Sequence, residues 1–93
     1  MDNTFQDNFS ATTRAYAFGS DFVAGDLFSI NSGIPVRHAL QQAEYLLNTA
    51  KLLSAESVDA DMQLGRALNC AILHLIEAGS GLIVASLAGL ERQ

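Results

Sequence analysis

The sequence predicts a mostly α domain: an antiparallel helix hairpin, with helices at about 35–54 and 59–91, behind an irregular or short β N-terminal arm. Three observations predict it. Apolar residues recur at spacings of three and four from Val36 onward. The stretch Leu68–Leu90 carries a single charged residue, Glu77. Six of the seven aromatics fall in residues 1–34. The arm (1–34) and the hairpin (35–93) form a single domain, since 93 residues cannot build two cores.

The arm comes first. Phe5, Phe9, Tyr16, Phe18, Phe22 and Phe28 are interrupted by Gly19-Ser20-Asp21 and Gly25-Asp26. Asp26–Ile30 reads as a short strand, and the residues before it can pair with it through a turn at Gly19–Asp21. Two strands alone are marginal, so the arm needs something to lie on.

Asn31-Ser32-Gly33-Ile34-Pro35 then reads as a helix start, with Ser32 as candidate cap and proline tolerated in the first turn. Val36, Ala39, Leu40, Ala43, Leu46, Leu47, Ala50 and Leu53 form one face of the first helix. Arg37, Gln41, Glu44, Asn48 and Lys51 form the wet face. Ser54–Val58 is a loop, after which Ser57 or Asp59 can cap the second helix. A short loop between two long helices makes them antiparallel neighbours.

The lengths are unequal. At 1.5 Å per residue the first helix spans roughly 28 Å and the second roughly 48 Å. Folded back, the first covers the second only to about Ala78, leaving the uncharged run Ala78–Leu90 to find other cover. The aromatic arm and a second chain are both expected to supply it, giving a homodimer, in its simplest form a four-helix bundle. Ala67, Ala71, Ala78, Gly81, Ala85 and Gly89 make a strip of small side chains along which another backbone can approach closely. Gly79-Ser80-Gly81 is where the helix would break if no packing offset the cost of glycine, about 1 kcal/mol per site.

The candidate interface residues are Arg66, Cys70, His74, Glu77, Gly81, Ala85 and Gly89. Arg66 and Glu77 lie close to three turns apart, on one face with Cys70 and His74. Two copies of this helix packed antiparallel about an axis near Ile72 would set each Arg66 beside the other chain's Glu77.

Other chemistry finds little support. Cys70, His74 and Glu77 have helical metal-ligand spacing, but nothing supplies a fourth ligand, so no metal or other cofactor is expected. His38 has no paired nucleophile or carboxylate and reads as a surface residue. Gly79–Gly81 has no following lysine and is not a phosphate loop. No catalytic pattern is spaced along the chain, and the expectation is a non-enzymatic protein. The five basic residues are scattered and the net charge is −5, which argues against nucleic acid. Ala78–Leu90 falls short of the roughly 20 apolar residues of a membrane span. Extending it backward takes in Glu77, His74 and Asn69, so no membrane partner is expected. One cysteine and an acidic start, MDNTFQDNFS, suit the cytoplasm.

Leu27-Phe28-Ser29-Ile30-Asn31-Ser32-Gly33-Ile34-Pro35, followed by Ala39-Leu40-Gln41-Gln42-Ala43 and Leu46-Leu47, resembles a family of small bacterial two-helix proteins catalogued only as a domain of unknown function. The resemblance covers roughly residues 18–90. It implies a two-helix domain and carries over no activity and no functional residue. The functional expectation is therefore a self-associating regulator, adaptor or inhibitor of a larger, unidentified protein partner. The alternative is a small-molecule sensor with an apolar pocket between the helices.

Overall fold

The computed structural model describes residues 11–21 and 25–91. Phe5, Phe9 and Phe22, counted above among the arm's aromatics, lie outside the described residues. A strap, Ala11–Ala15, leads into strand β1 (Tyr16–Asp21), which pairs antiparallel with β2 (Gly25–Ile30). Helix α1 (Val36–Glu56), a 3-10 turn (Ser57–Asp59) and helix α2 (Met62–Glu91) complete the chain. The fold is mostly helical with a small two-stranded sheet, as the periodicities predict.

Three local expectations are corrected. The hairpin does not turn at Gly19–Asp21: these residues belong to β1, and Asp21 pairs with Gly25. The first strand therefore runs further than its glycine suggests. Ser32 does not cap α1: Pro35 holds the N-cap position, and no side chain caps the helix. The Val36 N–H donates instead to the Ala11 carbonyl at 2.9 Å, so an orphan donor of the first turn is satisfied by tertiary structure. At the second helix neither Ser57 nor Asp59 caps. The Asp61 Oδ1 accepts from the Leu64 N–H at 2.8 Å, whereas the Ser57 hydroxyl donates back to the Ser54 carbonyl.

The largest correction concerns which part of α2 is covered. The start of α1 lies against the end of α2: Leu47 and Ala43 abut Gly79, and Ala39, Ala43, Leu82, Ala85 and Ile30 form one buried cluster. Phe18, Ile34, Leu46 and Ile83 pack around it. Ala78–Leu90 is thus no overhang. It is the best-buried stretch of the helix, and α2 runs through Gly79–Gly81 without a break. The helices slide past one another because alanine and glycine faces pack closest where both are small, a preference that loop length does not express.

The arm does lie on this stretch, as expected. A Cβ on Gly81 would meet Ile30, Tyr16 and Phe18, whereas one on Gly79 would meet Leu47. Two residues are about 200° apart on a helix. The hairpin and α1 therefore flank α2 on opposite sides.

The strap closes the arrangement. Thr13 exchanges backbone hydrogen bonds with Ile34 and Gly33, and its buried hydroxyl donates to the Asn31 carbonyl at 2.7 Å while accepting from the Ile34 N–H at 3.1 Å. Gly33, at φ +83°, makes the turn that brings Asn31 and Ile34 to one threonine. The Arg14 N–H donates to the Ala85 carbonyl. Where the strap crosses α2, the Thr12 carbonyl occupies the space a Cβ of residue 89 would need, so only glycine fits there.

The result is a slab. Its extents are 56 × 33 × 13 Å. The radius of gyration, 16.0 Å, exceeds the roughly 12 Å of a compact chain of this length.

Candidate interaction surface

With α1 on one side of α2 and the hairpin on the other, a third face of α2 is left open. Exposed residues mark it at spacings of three and four: Met62, Arg66, Asn69, Leu73, Ile76, Ser80, Val84 and Leu87. Met62 is 76% exposed and Leu73 57%, against 1% for Ala85 on the packed side of the same helix. This spacing is that of a seam between packed helices. Near the loop the apolar surface widens, with Leu52, Val58 and Leu64 exposed, Val58 to 80%. Exposed apolar side chains grouped on one face are a common mark of interaction surfaces.

The sequence-derived interface residues divide into two groups. Arg66, Cys70 and His74 are exposed and Glu77 is half-buried, all along this open side of α2. Gly81, Ala85 and Gly89 are buried inside the chain. In its far half the small-residue strip does admit close neighbours, but they are the hairpin, the strap and α1 of the same chain, whereas Ala67 and Ala71 are exposed. His74 packs edge-on to the Phe28 ring, centroids 4.8 Å apart, and Phe28 stacks on Phe18 at 5.5 Å. Among the described residues no three His, Cys, Asp or Glu side chains group closely enough to hold a metal ion.

Two grooves flank the seam. Between the helices an open groove of about 470 Å³ is lined by Leu40, Ala43, Leu47 and Ile83, with Glu44, Asn48 and Lys51 also on its wall. Between the hairpin and α2 a groove of about 460 Å³ is lined by Tyr16, Phe18, Asp26, Ile76, Glu77 and Ser80, among others. It combines aromatic faces with two carboxylates. Among the described residues neither carboxylate is paired with a cation. Of this groove's lining the sequence-derived candidates include only Glu77 and Gly81; the others, Tyr16, Phe18 and Asp26 of the hairpin among them, were missed. Strand alternation puts Tyr16, Phe18, Asp26, Phe28 and Ile30 on one face of the hairpin once the Phe18–Phe28 register is known. The register depended on the turn position, which the sequence misled on.

By length and composition α2 is apolar enough to cross a membrane. No curated protein and no solved structure matches the chain. Residues 12–87, from the strap through most of α2, match the model of the family described as Protein of unknown function (DUF3077), and the chain belongs to that family.

Proposed function

We propose that this is a non-enzymatic interaction protein, a self-associating regulator, adaptor or inhibitor whose partner-binding unit is a homodimer. The observation that carries the reading is the exposed seam of α2, running from Met62 to Leu87. Domains bury apolar faces between two packed layers, and this chain is a single slab 13 Å thin. A second copy laid on the seam supplies the missing layer and makes a helical bundle of the two hairpins. The polar residues set within the seam, Arg66, Asn69 and Ser80, suit a protein interface better than hydrocarbon, which favours a cytoplasmic protein over a membrane-spanning one.

Sedimentation equilibrium at micromolar concentration tests this. A folded species of about twice the chain's 9.9 kDa is expected. A well-folded species that stays at the chain mass under those conditions rejects the homodimer.

The groove between the helices favours a second reading, a sensor for a small apolar molecule, because its floor is aliphatic and its wall carries Glu44 and Lys51. Saturable binding of an environment-sensitive apolar dye, abolished by Leu40→Trp at the exposed lip of the groove without loss of helicity, would support that reading.

A further inference from the structure

We infer that the groove between the hairpin and α2 is a guanidinium site, and that its occupant is Arg66 of a second copy of this chain. The inference rests on the homodimer proposed above and specifies its register. Glu77 is half-buried beside Ile76 and Ser80 on the groove wall, and Asp26 of β2 lines the same groove. Tyr16 and Phe18 line the same groove. Carboxylates beside aromatic faces are the surroundings that a planar, weakly hydrated guanidinium favours.

The chain's own Arg66 cannot fill the site. It is exposed on the same face of α2 about 16 Å nearer the loop, beyond the reach of an arginine side chain. A second copy brings it there by symmetry. When two α2 seams pack antiparallel about a two-fold axis between Ala71 and Ile72, each Arg66 falls opposite the other chain's Glu77, twice per dimer. Charge chooses this register over its neighbours. A shift of two turns sets Arg66 against Val84, with no acid nearby, and leaves a guanidinium desolvated without a partner.

Cys70, an exposed free thiol, reports on the register. In the proposed dimer the two Cys70 residues lie about 4–5 Å apart along the helix axes and within about 10 Å across them, inside the span of a short bis-maleimide. The experiment is cross-linking of the full chain through Cys70, read on a denaturing gel beside sedimentation equilibrium. It compares wild type, Arg66→Glu, Glu77→Arg and the double swap, with helicity checked by circular dichroism. The wild type should cross-link as a dimer. Each single reversal should weaken self-association about tenfold or more, and the double swap should recover at least half of that loss on a logarithmic scale, the remainder being the cost of Asp26 left in the groove. A dimer that sediments as such yet fails to cross-link at Cys70, or is not rescued by the swap, overturns the register and the site while self-association stands. A folded wild-type monomer overturns both.

Discussion

The two halves of α2 belong to one continuous helix and live in different surroundings. From Gly79 to Gly89 the helix is wrapped by α1, the hairpin and the strap, and Gly79, Gly81, Leu82, Ala85, Ser86 and Gly89 are buried. From Met62 to Ile76 no residue is fully buried, and Met62, Leu64, Leu73 and Ile76 are exposed. Apolar content does not separate the halves; side-chain size does. Small residues let backbones close in and complete a core within the chain. Larger aliphatic residues keep neighbours at a distance, and on this half they stay exposed.

Glycine substitutions are the sharpest way to break this contrast. The largest effect is expected at Gly89, where a Cβ would collide with the Thr12 backbone, which cannot swing aside as a side chain does. Gly89→Ala should lower stability by about 3 kcal/mol or more and detach the strap, as read by urea unfolding. An unchanged midpoint would show that the strap does not close on α2.

Thr13→Val comes next. It keeps the shape but removes the hydroxyl, leaving the Ile34 N–H and the Asn31 carbonyl without their side-chain partner. A loss of about 1–3 kcal/mol is expected in the same assay. Thr13→Ser, which keeps the hydroxyl, should recover most of it.

The smallest effect, of opposite sign, is expected in the open half. Gly65 has nothing within 4 Å of where a Cβ would stand, so Gly65→Ala should stabilise α2 by up to about 1 kcal/mol through helix propensity alone. A large destabilisation there would mean that the loop-proximal half is packed as tightly as the other.

Much of this fold is legible in the sequence. The spacing Val36, Ala39, Ala43, Ala50 marks the four residues that α1 buries. Asp26–Ile30 is a strand, and Gly33-Ile34-Pro35 is the turn into α1. What could not be read is how the helices slide. Counting back from the loop pairs equal lengths, yet the contact between Ala43 and Gly79 is set by complementary surfaces far from the loop. The same limit applies to the site. Arg66, Cys70, His74 and Glu77 were findable because a helix fixes their common side, whereas Asp26 and Tyr16 reach the groove through the hairpin register.

The crossing of the strap over Gly89 also bears on the order of events in folding. Thr12 and Gly89 stand almost at opposite ends of the described chain, so their contact closes a loop containing nearly all the rest. Closing so long a loop early is entropically costly, whereas the helix hairpin assembles from contacts much nearer in sequence. The strap should therefore dock after the rate-limiting step, as the last piece to arrive and the first to leave. Substitutions at Thr13 should then appear almost wholly in the unfolding limb of a chevron plot, and substitutions at Ala43 in the folding limb.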